Sequence, residues 1–422
     1  MANSIQVAGD VNIDSVKITT AKGFHQVITN QVIGIQLFED IFSPFMTGTL
    51  TIKDSLDLIN AFPFIGEEFL ELKISTPDLQ VGNIDNKFYI SKMTNREIAG
   101  DRAVIYDLHF ISVEFLGDLN KKISKTFAGK CSDIVNTLLT DDVNGLNVTK
   151  KIQVEETLNS TTFISNYWSP IKNINYLSDA SVNKNHSPTY LFFESRNGFN
   201  FVSLESLYLE NAYQQFKFDN FTRDIQSNGS SSRNIEEGYK RIKELKMPVG
   251  FDYIQRTREG MYGSRMYSYD ITTKQFRNTV YSMWDTYGDQ QHHLNENPIA
   301  SSRATNRPDA NILTLPKYTE NYTGWGDVTN VKTVQKRMSL MAQLNASKLE
   351  ILVPGRCDYT VGMKVELNLT KVEPIKSTDT DIEDEMFSGY YIVSAINHII
   401  SNTAHECNME LVKDSLIKNL DR

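Results

Sequence analysis

Apolar and polar positions alternate with a period of two through most of the first 116 residues. Thr49–Lys53 sets Leu50 and Ile52 on one face. From Ala103 to Leu116, Val104, Tyr106, Leu108 and Phe110 share one face, and Ile105, His109, Ile111 and Val113 lie towards the other. Alternation with both faces partly apolar predicts strands of a barrel or sandwich. Phe69–Ile74 and Phe88–Met93 are further strands, punctuated by Pro44, Pro63 and Pro77, and Ser55–Ala61 is the one short helix expected here.

The period changes after Gly117. Ile134, Val135, Leu138 and Leu139 form a helical stripe, with Ser132 as its expected cap and Asp133 in the first turn, where the helix dipole favours an anion. Ser169-Pro170 is a second helix start, because proline at the first helical position has no N–H to waste; Ile171, Ile174 and Leu177 follow. Thr189–Glu194 and Phe199–Leu204 flank Asn197-Gly198, which predicts a hairpin with a tight turn at those two residues. Gln226–Ser232 reads as a polar linker.

Ile235–Leu245 predicts a short helix stopped before Pro248, and Phe251–Phe276 reads as Tyr-rich strand. Gln290–Asn330 is polar and carries Pro298, Pro308 and Pro316, as an extended excursion would. Val331, Val334, Met338, Met341 and Leu344 mark an amphipathic helix. The C-terminal part returns to strands: Leu349–Val353, Val365–Leu369, and a long hairpin of Tyr390–Ile400 with His405–Val412 around Ser401-Asn402. Turns fall at Pro354-Gly355 and at Gly362. The fold class is a β-rich α+β protein with strand-rich ends and a mixed middle.

Composition narrows the function. The 422 residues suggest two to four domains, and 40% hydrophobic with 23% charged residues excludes disorder as the main state. A net charge of −9 argues against tight sequence-independent nucleic-acid binding, which needs many cationic contacts to phosphate. Arg233–Arg277 is locally basic, with ten Lys/Arg against six Asp/Glu and seven aromatics interleaved. Because the rest of the chain is acidic, this stretch reads as barrel strand and protein interface rather than a nucleic-acid surface. Cys131, Cys357 and Cys407 are widely spaced and odd in number, so a disulfide framework is not expected and a reducing cytoplasm suits the chain. Met1–Asp14 shows no basic segment followed by an apolar run, and no apolar stretch is long enough for membrane insertion.

Candidate chemistry is sparse. His292-His293 are neighbours, which point apart on a strand and lack a third ligand at zinc-like spacing. His405 and Cys407 share a strand face with Met409 and Leu411, so a buried structural thiol is expected; His398 and His109 are read the same way. The acidic loop Glu373–Glu385 departs from a calcium loop because Asp384 stands where the turn glycine belongs. Glu67-Glu68 are adjacent carboxylates that do not converge on one bond. No nucleophile elbow, zincin, Walker or dinucleotide motif is present. No catalytic residue, cofactor or metal is therefore expected, and the chain is expected not to be an enzyme.

Two stretches carry a family resemblance. One runs from Trp168-Ser169-Pro170 through Asn175-Tyr176-Leu177, Tyr190–Glu194 and Asn197–Leu204; the other comprises Leu349–Ile351, Val353–Arg356, Val361-Gly362, Gly389–Val393 and the closing strand to Asp414. In these the chain resembles the central baseplate hub proteins of contractile-tailed bacteriophages, themselves similar in fold to phage late-control tail proteins and to the base of VgrG-type secretion spikes. The structural motif residues are Trp168, Pro170, Asn197, Gly198, Pro354, Gly355 and Gly362. They fix a helix entry, a hairpin register and two turns. No single interface residue can be named from the sequence.

The resemblance implies two tail-tube-like antiparallel β-barrel domains. The first is expected at 1–116 and the second, discontinuous, at 233–280 and 341–414. A mixed α/β segment at 117–232, a Pro-rich insertion with a helix start at 281–340 and a tail at 415–422 complete the division. It further implies a homotrimer forming a pseudo-sixfold ring, between the hexamer of tail tube protein and a trimeric spike protein, among the surrounding baseplate proteins. DNA would pass through the channel without specific binding. The place would be the virion tail baseplate, assembled in the host cytoplasm. A receptor- or glycan-binding tail protein is the alternative, with a cell-wall hydrolase behind it.

Overall fold

The computed structural model describes residues 5–20, 22–61, 64–78, 82–100, 103–218, 235–270, 274–285, 287–288, 291–304, 307–317, 330–371 and 383–421. The expected linker 226–232 and most of the acidic loop, 373–382, lie outside the described residues.

Seven strands come first: β1 (Asn12–Thr19), β2 (His25–Val27), β3 (Val32–Asp40), β4 (Thr47–Asp54), β5 (Phe69–Ser75), β6 (Ile84–Ile98) and β7 (Val104–Ser112), with a short α1 (Leu58–Ala61) between β4 and β5. They pair antiparallel in the order β3-β4-β7-β6-β5-β1-β2. Alternation explains them: Leu50 and Ile52 of β4 and Tyr106, Leu108 and Phe110 of β7 are all buried in one apolar core. Gly48 is glycine for a steric reason, because a Cβ there would lie 2.2 Å from Phe110 Cζ.

The middle segment holds α2 (Glu114–Asn120), β8 (Thr126–Lys130), α3 (Cys131–Thr140), β9 (Ile152–Val154), β10 (Ser160–Ile164), α4 (Pro170–Ala180), β11 (Tyr190–Ser195), β12 (Gly198–Ser203) and α5 (Leu204–Leu209). Its core joins the α3 stripe Ile134, Val135, Leu138 and Leu139 to Ile171, Ile174 and Leu177 of α4. Ser132 is not the cap of α3. The helix starts one residue earlier, and Thr157 Oγ1 accepts from the Ser132 N–H instead. In the hairpin, Ser195 pairs with Gly198, so the turn residues are Arg196 and Asn197, one position before those expected.

The rest of the chain contributes β13 (Gln214–Phe218), α6 (Ile235–Lys240), β14 (Glu244–Val249), α7 (Tyr253–Arg258), β15 (Gly263–Asp270), β16 (Gln275–Ser282), β17 (Asn297–Pro298), β18 (Ile312–Lys317), α8 (Asn330–Leu344), β19 (Ser347–Pro354), β20 (Lys364–Leu369), β21 (Gly389–Ser401), β22 (His405–Lys413) and β23 (Ser415–Leu416). Strands β14, β19, β22, β21, β20 and β13 are neighbours in that order. A parallel bridge of Lys217 with Arg241, just before β14, and the Ile242 N–H donating to Lys217 O close this ring of strands. Beyond the register shift between Val393 and Ala395, β21 turns from β20 to β3, pairing Ala395–Ser401 with Gly34–Asp40. One 13-stranded sheet therefore runs through both ends of the chain.

Several expectations differ here. The helix begun at Ile235 ends at Lys240, and residues up to Val249 pair with β19 despite Pro248. Proline is tolerated because β14 carries a register shift at that point. Within Phe251–Phe276, Asp252 caps a helix, accepting from Gln255 N, before β15 begins. β15 pairs with β16 and with β18, and among the described residues neither β15 nor β16 pairs with the 341–414 strands. In exchange β13, expected in the middle segment, pairs with β20. On α8 the buried face carries Gln335, Ser339, Ala342, Gln343 and Leu344; of the expected stripe Leu344 is buried and Met341 packs against the core, while Val334 and Met338 are only half-buried. Gln335 Nε2 donates to Ser264 O, and Ser339 Oγ donates to Met261 O, so polar groups dock this helix on β15.

Candidate functional site

No cleft gathers the seven motif residues, but the structure puts several of them where the layers join. Ser169 Oγ accepts from Lys172 N with Pro170 as the first residue of α4. Trp168 packs on Tyr176 with ring centroids 5.5 Å apart, and its carbonyl accepts from Ile123 N. Both contacts lie within the middle segment. The hairpin tip reaches further. Arg196 donates to Asp358 O and its carbonyl accepts from Asn86 Nδ2 of β6. Gly198 has φ +126°, and a Cβ there would sit 2.0 Å from Lys151 O, so only glycine fits. Asn197 occupies the turn itself.

Opposite that tip lies the 354–362 loop. Pro354 ends β19, and Gly355 N donates to His405 O over 2.7 Å. Gly362 has φ +80°, and its N–H donates to Val393 O. Between them Asp358 accepts from Arg356 and from the Tyr213 hydroxyl, and the Arg356 guanidinium stacks near Tyr239 and Tyr359. The Tyr213 hydroxyl is pushed up to about 12, first by burial and then by Asp358.

Two further polar nodes tie layers. Lys150 Nζ lies 2.7 Å from Glu114 Oε2 and 2.6 Å from Glu194 Oε1, and Ser112 Oγ donates to Glu194. Glu194 also accepts from Met46 N, so β11 is anchored to β4 and β7. Burial raises the Glu194 carboxyl, and Lys150 opposes that rise. The pair His292-His293 separates: His292 Nδ1 meets Glu205 at 2.6 Å and His293 Nδ1 meets Asp414 at 2.7 Å. Neighbours in sequence thus serve two carboxylates and share no ligand.

The sequence reading put His405 and Cys407 on one strand face as a buried structural thiol and took His398 separately. The structure brings them together in the interior. His398 Nδ1 is 3.0 Å from His405 Nε2, and Cys407 Sγ is 3.3 and 3.5 Å from those two nitrogens. His398 pairs with Cys407 and Ile400 with His405, so the turn falls at Asn402-Thr403, one residue beyond Ser401-Asn402. Either register sets all three on one face, because directly opposed residues and residues two apart on a strand point the same way. The signal was therefore present in the sequence, in carrying the face of His405 and Cys407 across the hairpin to His398.

The chain adopts the fold of phage tail proteins. A tail protein from Neisseria meningitidis MC58 superposes with a TM-score of 0.58 at 10% identity, covering 95% of this chain and 96% of that one. The 43 kDa tail protein of prophage MuSo2 from Shewanella oneidensis gives a TM-score of 0.50 at 8% identity, covering 95% and 98%. No family model matches the sequence. In sequence the chain is 22% identical over 410 residues to a probable baseplate hub protein of Vibrio phage KVP40, covering 93% of this chain and 92% of that protein. It is thus similar to one probable baseplate hub protein along most of both chains, and the two solved structures whose fold it shares are tail proteins.

Proposed function

We propose that the chain is the structural hub of a phage tail baseplate, assembled as a homotrimeric ring of pseudo-sixfold symmetry. The reading is carried by the similarity to a probable baseplate hub protein along nearly the whole of both chains. Each copy would supply two tube-like units: the β1–β7 half of the sheet and the closed ring of β13, β14 and β19–β22. Three copies then present six units to a hexameric tail tube and three to a trimeric spike. Symmetry is matched by repeating a unit within the chain rather than by adding subunits. Strand edges that are free in one copy pair with the next, which removes an aggregation hazard. Holding such a ring requires interfaces of more than about 2,000 Å².

In this role the chain surrounds a DNA channel in the virion baseplate, having assembled in the host cytoplasm with the other baseplate proteins. The net charge of −9 suits a channel lining that does not grip phosphate. The chemistry is mechanical and needs no catalytic group. Mass photometry of the purified chain, followed by electron cryomicroscopy of the ring, tests this. A trimer with a pseudo-sixfold rim and an acidic lumen is expected. A chain that stays monomeric with its spike protein present, or a ring with a basic lumen, overturns it.

A further inference from the structure

We propose that His398, His405 and Cys407 form an interior site for one zinc ion, which staples the two halves of the large sheet. All three side chains are fully buried or nearly so, and their ligand atoms lie within 4.8 Å of one another. The inference stands apart from the hub reading, because it concerns how one copy holds itself together.

Distances come first. A tetrahedral zinc with bonds near 2.0 Å to nitrogen and 2.3 Å to sulfur keeps its ligand atoms roughly 3.3 Å (N···N) and roughly 3.6 Å (N···S) apart. The observed edges are 3.0 Å for His398 Nδ1 to His405 Nε2, and 3.3 and 3.5 Å from Cys407 Sγ. Small adjustments of three side chains would open that triangle to accept an ion.

Hydrogen bonding alone satisfies the triangle poorly. A ring nitrogen is either a donor or an acceptor, never both, and the thiol has one hydrogen. One nitrogen can take both available hydrogens, but then the third edge sets two groups together with no proton between them. The outer nitrogens do not relieve this. His398 Nε2 and His405 Nδ1 are buried without a hydrogen-bond partner. An ion at the centre instead receives a lone pair from each of the three atoms.

The surroundings match a metal's outer shell. Ligating histidines commonly direct their other N–H at a carboxylate. Here Glu39 Oε1 lies 3.7 Å from His398 Nε2, with both side chains fully buried. Glu39 is fixed in turn, its Oε2 accepting from the Thr360 hydroxyl at 2.5 Å and from Val361 N at 3.4 Å. A divalent ion, one thiolate and one carboxylate sum to zero charge, the condition a dry interior favours. Gly355 makes room: a Cβ there would lie 2.3 Å from His405 Cδ2. A thiolate with two imidazoles suits zinc over hard cations such as magnesium or calcium.

The placement gives the staple its meaning. Glu39 belongs to β3, in the first half, and pairs with Ile396 of β21, while the three ligands sit on β21 and β22. The site therefore spans the strand pair that joins the halves.

The test is elemental analysis of the full chain expressed with zinc in the medium. About one zinc per chain is expected, falling to near zero in Cys407→Ser and His398→Gln and retained in Cys357→Ser. Cobalt substitution of the wild-type chain should give a thiolate-to-cobalt charge-transfer band, a readout that needs no variant to fold. Glu39→Gln should weaken zinc affinity about 10–100-fold while leaving the cobalt band. A wild-type chain that carries no zinc, shows no such band, and has the same Tm with zinc or with a chelator present during refolding overturns the proposal.

Discussion

Across the β3–β21 pair, the two halves of the large sheet bury different things. The β1–β7 half surrounds aliphatic and aromatic side chains such as Leu50, Ile52, Leu70, Leu72, Phe88 and Phe110. Two of its buried carboxylates serve local loops: Glu68 accepts from Ile65, Gly66 and Glu67 N–H, and Asp54 from Leu56 and Leu58 N–H, while Glu39 at the joining strand reaches Thr360 and Val361. The other half adds His398, His405, Cys407 and Lys413 to its interior, each with partners on other elements. The first half is consecutive in sequence, so alternation and short turns bring its strands together. The second is collected from segments more than a hundred residues apart, and its buried polar groups add directional contacts to what hydrophobic burial leaves non-directional.

The most severe way to break this comparison is a cavity on each side. Phe110→Ala should cost about 3–5 kcal/mol, and Leu411→Ala about 2–5 kcal/mol, since both side chains are buried in close-packed cores. Because β21 hydrogen-bonds to β3 through Ala395–Ser401, both variants should lower one shared transition in calorimetry. Two separate transitions, each moved by only one variant, would mean that the halves unfold independently.

Legibility followed the same division. The first half was readable because strand alternation is a local signal and Tyr106, Leu108 and Phe110 obey it. The α4 start was readable because Ser169 and Pro170 act within one turn. What failed was long-range. That β13 would leave the middle segment for β20, and that β15 would pair with β18, depends on partners far along the chain. On α8 the apolar pattern found Leu344 but missed the polar part of the buried face, because Gln335 and Ser339 donate to the carbonyls of Ser264 and Met261, a fact no hydrophobic pattern contains. The interior trio was missed for a smaller reason: the face shared by His405 and Cys407 was not carried across the turn to His398.

A second substitution sharpens the contrast at its most crowded point. Gly355→Ala places a methyl 2.3 Å from the His405 ring and 2.8 Å from His405 C, so a backbone shift is forced beside the joining strands. A loss of about 2–3 kcal/mol is expected by chemical denaturation, in line with overpacking of a fixed interior. If the loss is under about half that, the 354–362 loop is softer than its contacts imply.

Lys413 separates the halves by pH. Its side chain is buried, donates to Met386 O and Ser388 O, and is pushed down to about 7, chiefly by burial. In the unfolded chain the amine keeps its ordinary value of 10.5. Above pH 7 the unfolded state therefore binds more protons than the folded state, and stability rises with pH. Between pH 7 and 8, where unfolded thiols are still mostly protonated, the gain should be on the order of 1 kcal/mol. Lys413→Met should flatten that slope, whatever it does to the absolute stability. An unchanged slope in denaturant titrations at several pH values would show that the amine stays charged when folded.

The smallest effect belongs to a glycine of the first half. Gly100, between β6 and β7, has φ +80° and nothing within 4 Å of where a Cβ would stand. Gly100→Ala meets no neighbour, unlike Gly355→Ala, so only the backbone resists it. The left-handed conformation costs a side chain roughly 1–2 kcal/mol, and the loss of unfolded-state freedom offsets roughly 0.4–1 kcal/mol of that. A net loss of about 0.5–1 kcal/mol is expected, smaller still for Gly100→Asn, whose side chain tolerates positive φ. The ordering of Gly355→Ala above Gly100→Ala, with Gly100→Asn mildest, distinguishes packing at the joint from conformation at a free turn. Equal losses at the two glycines would mean that the His405 ring moves aside for the new methyl, since Gly355 itself does not have a positive φ.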